Sequence, residues 1–333
     1  MYERPYHSES LSGYAFLVTG GAGFIGSNLV EYLVRYGAGK IRVLDNLSTG
    51  NEHNLSPFLD YPGFEFIKGD IRDMQVCRRA CEGIDFVSHQ AALGSVPRSV
   101  KDPVTTNEVN INGSLNVLEA AKNAGSVQKM VYAASSSTYG DSRELPKVED
   151  RIGKPLSPYA VTKYVNELYG EVYSGAYGFH TIGLRYFNVF GPRQDPDGPY
   201  AAVIPLFLKA ALESRSPLIN GDGEQTRDFT FVENAVQANV RALLQGRALD
   251  KHAVVNIAFG SAISLNDLWK VIAAAAGISV DPQYGPVRDG DIRHSLADTG
   301  KAEKLLGYHP DFDIMEGLRI TYTFFKRRQN QRR

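Results

Sequence analysis

The run AFLVTGGAGFIGSNLVEYL, residues 15–33, constrains this chain more than any other stretch, because it places an apolar β-branched run, a glycine turn and the opening of an amphipathic helix in that order. Gly20, Gly23 and Gly26 fit G-x-x-G-x-x-G, and Gly21, Gly23 and Gly26 fit the related G-x-G-x-x-G. Glycines at that spacing let a strand turn sharply into a helix, bring backbone N–H groups against a pyrophosphate, and pack the helix close to the sheet. The ligand class they predict is a dinucleotide.

The pattern continues beyond the glycines. Apolar runs KIRVLDN, FEFIKGD, DFVSHQA and KMVYAAS alternate with helical patterns such as VCRRACEG and SLNVLEAAKNAG. Continuous apolar strands separated by crossover helices mean a parallel sheet covered on both faces, which is a doubly wound α/β (Rossmann) fold. SPYAVTKYVNELYGEVY reads as a further helix and HTIGLRYFNV as a further strand. From residue 191 the texture changes to GPRQDPDGPYAAVIP and then to short elements, LINGDG, VVNIAF and LNDLWKVIAAAAG. We expect a nucleotide-binding domain over 1–190, with a return strand near 253–262, and a smaller α/β substrate lobe over most of 191–333.

The net charge of −1 provides no basic field for nucleic acid, so any phosphate must be bound locally. No apolar run approaches the roughly 20 residues of a membrane span, and the start, MYERPYHSESLSG, has no apolar signal core, which makes a cytoplasmic protein the expectation. Cys77 and Cys81, the only cysteines, stand four apart in a helical pattern; two thiols make neither a zinc site nor a disulfide framework. No metal site is expected.

Asp45 ends the strand after the glycine turn, where a carboxylate meets the adenosine ribose hydroxyls and repels a 2′-phosphate, favouring NAD over NADP. Asp70, at the next strand end, is an adenine-edge contact or a helix cap. In SPYAVTK, Tyr159 and Lys163 share a helix face at i and i+4. A phenol with pKa near 10 is a poor base at neutral pH, but a nearby ammonium and an oxidised nicotinamide both favour phenolate, so the pair reads as a general base. Ser135, Ser136 and Ser137 stand at the carboxyl edge of a strand, where ligands of doubly wound folds bind, and Ser135 can hydrogen-bond the oxygen that Tyr159 deprotonates. His89 reads as a packing residue. Neither G-x-S-x-G nor H-E-x-x-H occurs, so serine and zinc hydrolase readings lack support.

TGGAGFIG, DNLSTG, GDIRD, HQAALGSV, the serine turn, Y-x-x-x-K, LRYFNVFGP and GEQTRDFTFV occur in order over nearly the whole chain, which thereby resembles the extended short-chain dehydrogenase/reductase family. Within it the chain is most similar to the NAD-dependent epimerases of nucleotide sugars, and among those to bacterial UDP-N-acetylglucosamine 4-epimerases of polysaccharide pathways. The resemblance implies that Gly20, Gly23, Phe24, Ile25 and Gly26 line the pyrophosphate and that Asp45, Asn46, Ser48, Thr49 and Gly50 surround the adenosine ribose. Asp70 and Ile71 would border the adenine, Gln90, Ala91, Ala92 and Asn110 would lie along the cofactor, and Tyr186 would sit near the nicotinamide. On the substrate side it implies Ser136, Ser137, Asn188, Ala202 and Val203, with Leu218 and Asn220 by the base, Arg227 and Arg288 on the phosphates, Asp291 on a uridine ribose hydroxyl and Ser295 beside the sugar. The family also pairs SLNVLEAAKNA and YAVTKYVNELYGEVY across a two-fold axis, which implies a homodimer closed by a four-helix bundle.

Sugar-nucleotide 4,6-dehydratases of the family carry an Asp-Glu pair where this chain has Ser136 and Ser137, so elimination is disfavoured. Epimerisation at C4 of a UDP-N-acetylhexosamine is the expectation, with UDP-glucose and UDP-galactose slower, because Ser295 and Ala202 are smaller than their counterparts in UDP-galactose 4-epimerases. UDP-glucuronate 4-epimerisation, with Arg98 or Arg193 as the cation, is the alternative; a non-catalytic NAD sensor would predict a broken Tyr/Lys pair, and both residues are present.

Overall fold

The computed structural model describes residues 1–198, 200–244, 252–287 and 292–332. Arg288 and Asp291 lie outside the described residues. Strands β1 (Ala15–Thr19), β2 (Lys40–Asp45), β3 (Phe64–Lys68), β4 (Phe86–His89), β5 (Lys129–Ser135) and β6 (Thr181–Tyr186) are apolar runs that the sequence sets between helices. Four two- or three-residue strands follow: β7 (Val189–Phe190), β8 (Leu218–Asn220), β9 (Thr226–Asp228) and β10 (Thr230–Phe231). The chain then returns to the main sheet as β11 (Ala253–Ile257), before β12 (Ala262–Ser264) and β13 (Gln283–Gly285).

The main sheet has the order β11-β6-β5-β4-β1-β2-β3, and every pair in it is parallel. The chain leaves β1 in one direction to β2 and β3, then crosses to β4 on the other side. That reversal opens a crevice beyond the carboxyl ends of β1 and β4, where doubly wound folds bind ligands.

The helices that cover the sheet are amphipathic on its side. Helix α1 (Phe24–Arg35) packs with the first apolar core on one face, while α2 (Met74–Cys81), with buried Cys77 and Cys81, packs on the other. Burial pushes both thiols up to about 12, so at neutral pH they are inert packing groups. After α3 (Val96–Lys101), one long helix runs through α4 (Pro103–Asn107), a π-helical turn at Glu108–Gly113, and α5 (Ser114–Asn123). Helix α6 (Pro158–Tyr177) starts where the Ser157 hydroxyl accepts the Ala160 N–H at 3.1 Å, and ends where Gly178 takes the left-handed conformation.

A separate apolar core forms around α7 (Val203–Leu212) and α9 (Leu265–Ala276), where Phe207 meets Trp269 edge to face. Helix α8 (Val232–Leu244) is buried along its length against the main sheet, beside α1; α10 (Gly300–Leu306) and α11 (Ile314–Arg332) complete the chain. No helix among the described residues is long and apolar enough to cross a membrane.

Candidate active site

A cleft of about 730 Å³ opens at the predicted crevice. Its cofactor half begins at Gly20, held in the left-handed region at φ +69° while its N–H donates to Leu44 of β2. A Cβ at Gly20 would stand 2.6 Å from the Ala91 nitrogen, and one at Gly26 would overlap the Gly20 carbonyl oxygen. Only glycine fits either position. Gly23 caps α1 with no side-chain acceptor, so the first N–H groups of the helix remain available to an anion. The cradle therefore fits a pyrophosphate.

Asp45 ends β2 inside this half of the cleft. Its carboxylate accepts the Ala22 and Leu47 N–H groups at 3.0 and 2.8 Å, which fixes it across the glycine turn, and burial raises its pKa above the ordinary carboxylate value. Phe24, Ile25, Asn46, Ser48, Thr49 and Ile71 share the wall, and Gln90, Ala91 and Ala92 continue it from β4. NAD would be held by these groups, with Asp45 at its adenosine ribose.

Three residues that the resemblance places on the cofactor lie off this wall. Gly50 packs behind it, against Ala22 and Asp45. Asp70 is drawn sideways by the Asn46 amide at 2.9 Å and the Arg72 guanidinium at 2.8 Å, which holds its carboxyl down near 2; the cap of α2 is Asp73. Asn110 is fully buried and braces the wall from behind: its side chain accepts the Leu93 N–H at 2.8 Å and donates to the Leu93 carbonyl at 3.2 Å. The π-helical turn accounts for this, since it presents Val109 to the cleft and turns Asn110 inward.

The reactive end of the cleft is built by β5 and α6. Lys163 is buried, donates to the Ala133 carbonyl at 2.8 Å, and lies 5.9 Å from the Tyr159 ring centre; burial lowers its pKa to about 8. Tyr159 reaches Ser135, whose Oγ also accepts the N–H and hydroxyl of Ser137 at 3.1 and 2.9 Å. With both lone pairs engaged, the Ser135 hydroxyl donates toward the phenol and opposes the rise that burial imposes on it. In the protein alone burial dominates and the Tyr159 pKa is raised.

Tyr186 lines the cleft, and its hydroxyl joins a buried network, accepting from Asn239 at 2.7 Å and donating to Gln90 at 3.3 Å. His89 is clamped between the Thr19 and Ser114 hydroxyls at 2.6 and 2.9 Å, and burial followed by the Lys163 charge lowers its pKa to about 3. It is a neutral structural imidazole and takes no part in the cleft.

On the substrate side, Ser136, Ser137, Asn188, Arg227 and Ser295 line the cleft. Ala202, Val203, Leu218 and Asn220 stand outside its wall: Ala202 and Val203 begin α7, while Leu218 and Asn220 belong to β8, which is paired with β13. Arg193 is committed elsewhere, bridging Glu31 at 2.5 Å and Asn28 at 3.2 Å. Arg98 stacks over Tyr200 at 5.0 Å. Sequence reasoning missed the Gly94–Pro97 segment as cleft wall, although a Gly/Ser/Pro run directly after a strand end is a loop signal at the ligand edge.

Comparison with known proteins agrees with this geometry. Residues 16–258 match the model of the NAD dependent epimerase/dehydratase family. A putative UDP-glucose 4-epimerase of Methanocaldococcus jannaschii is 39% identical over 312 residues, covering 93% of this chain and 98% of that one. Among solved structures, the UDP-N-acetylglucosamine 4-epimerase of Methanobrevibacter ruminantium M1 in complex with UDP-N-acetylmuramic acid superposes with a TM-score of 0.88 at 39% identity, covering 95% of this chain and 99% of that one. The UDP-glucose 4-epimerase of Thermus thermophilus in complex with NAD gives 0.83 at 36% identity, covering 94% and 99%. The chain belongs to the NAD-dependent epimerase/dehydratase family, and NAD is its cofactor.

Proposed function

We propose that this enzyme interconverts UDP-N-acetylglucosamine and UDP-N-acetylgalactosamine in the cytoplasm by inverting C4, and acts more slowly on UDP-glucose and UDP-galactose. The observation that carries this reading is the joining, in one cleft, of Tyr159, Lys163 and Ser135 with a cofactor cradle and a small residue, Ser295, on the substrate wall. Bound NAD supplies the acceptor and donor of the C4 hydride. Tyr159 takes the C4 hydroxyl proton and returns it after the 4-keto sugar has turned over in the site. With the sugar bound, Ser135 turns its single proton from the phenol to the same oxygen, and the Lys163 ammonium favours the phenolate. Arg227 offers a guanidinium fork to the sugar-linked phosphates, and Asn188 a side-chain amide; Arg288 and Asp291 complete that proposal by resemblance. Ser136 and Ser137 supply no carboxyl for eliminating water, which favours epimerisation over dehydration.

Arg193 speaks against a uronate substrate, since its guanidinium is already paired with Glu31. The test is to incubate the purified enzyme with UDP-GlcNAc and no added reductant, and to follow the sugar anomeric signals by NMR. UDP-GalNAc should appear without net redox change. Turnover of UDP-glucuronate or UDP-glucose with UDP-GlcNAc inert would keep the Tyr159 chemistry and overturn the substrate.

Homodimerisation is part of the same proposal. Val161, Leu168 and Val172 form an exposed stripe on one side of α6, next to exposed Val100 of α3 and Val104 of α4. Two such faces would close a four-helix bundle. Introducing Leu168→Glu with Val172→Glu should halve the mass seen by light scattering while leaving the circular dichroism unchanged. A mass equal to the wild type's would refute the interface.

A further inference from the structure

Asp228 follows Arg227 in β9, is fully buried, and does not line the cleft. Its carboxylate gathers backbone N–H groups from two distant segments. Oδ1 accepts from Phe259 at 3.2 Å and Gly260 at 3.3 Å, while Oδ2 accepts from Gly260 and Ala297, each at 3.2 Å. Its backbone carbonyl accepts the Asn188 side-chain amide at 2.9 Å. One residue thus ties together the loop after β11, the segment before α10 and the chain after β6. Two of the pieces carry cleft residues: Asn188 itself, and Ser295, two positions before Ala297. The Ser295 N–H is in turn fixed to the Thr226 carbonyl of β9 at 3.2 Å.

A buried carboxylate is expensive unless its oxygens are fully hydrogen-bonded, and here backbone donors surround it. Burial pushes the carboxyl up to about 7 and these donors oppose the rise. We infer that Asp228 is a positioning residue for the substrate, setting the spacing of Asn188, Arg227 and Ser295 across the nucleotide-sugar half of the cleft while leaving the cofactor half untouched. An amide of the same shape cannot replace it. Whichever way an asparagine turns, its NH₂ faces either the Ala297 N–H or the Phe259 N–H, with Gly260 left on the remaining oxygen, and the segment it faces is released.

The inference rests on reading the cleft as a UDP-sugar site, so the probe is UDP titrated calorimetrically into the NAD-loaded enzyme. Asp228→Asn should weaken UDP binding about 10-fold and raise KM for UDP-GlcNAc by a similar factor, with kcat within about 3-fold of wild type and NAD occupancy unchanged. Ala297→Pro, which takes the Ala297 N–H from Oδ2 and leaves that of Gly260 in place, should do the same in milder form. Wild-type UDP affinity in Asp228→Asn would overturn the inference, as would equal losses in kcat and NAD occupancy, or failure of both variants to fold, since each marks a general structural role. A wild-type enzyme that binds UDP but does not convert UDP-GlcNAc would sink the substrate reading and leave the Asp228 result standing.

Discussion

Tyr159→Phe should lower kcat about 10³-fold, in the middle of the range for losing a positioned proton-transfer group, while NAD stays bound and KM for the sugar nucleotide moves little. The reasons lie in the site. Tyr159 is buried, its hydroxyl meets Ser135, and Lys163 approaches the ring with its ammonium anchored to Ala133. Phenylalanine keeps the ring and its packing, so the cradle around Gly20 and Asp45 is undisturbed. Because burial raises the phenol in the protein alone, the phenolate must be favoured by positive charge arriving with the cofactor and by the Lys163 ammonium. Lys163→Met should therefore leave a weaker enzyme whose activity rises at higher pH than the wild type's. A Tyr159→Phe enzyme retaining a tenth of wild-type kcat would mean that another group handles the proton. His89 would be a poor substitute, being neutral and hydrogen-bonded on both ring nitrogens.

The parts of the molecule legible from sequence are those that depend on local spacing. The glycine turn could be read because a strand, three glycines and a helix start have one common geometry, and Gly26 against the Gly20 carbonyl is its packing consequence. Tyr159 and Lys163 could be read because i and i+4 share a helix face. What could not be read depends on contacts between distant segments or on departures from regular helix. Asn110 stands in a π-helical turn, and nothing in EVNING announces that widened turn or the bond it makes to Leu93. Arg193 resembled a free cation in GPRQD until α1 placed Glu31 beside it. Asp228 escaped notice because its partners lie about 30 and 70 residues away, at Phe259 and Ala297. Leu218 and Asn220 stand in β8, which among the described residues pairs only with β13, apart from the main sheet.

Ser295→Tyr should remove turnover of UDP-GlcNAc by about 10²-fold or more while leaving UDP-glucose within about 3-fold of wild type, because bulk added to a rigid wall excludes only the ligand that needs the space. The wall at that point cannot easily retreat. The Ser295 N–H is bound to Thr226, Ala297 is held by Asp228, and the Lys147 N–H donates to the Leu296 carbonyl at 2.7 Å, so the backbone on both sides of the new side chain is anchored. A tyrosine here would extend into the cleft rather than swing the segment away, and an acetamido group at C2 would meet the ring. A sugar with a hydroxyl at C2 would not. Competition in one tube, with both sugar nucleotides at equal concentration, measures the ratio of kcat/KM values directly and is independent of how much variant enzyme is active. A ratio unchanged by the substitution would show that Ser295 does not face the C2 substituent, and the preference would then have to come from another part of the wall, with the Gly94–Pro97 segment as the next place to test.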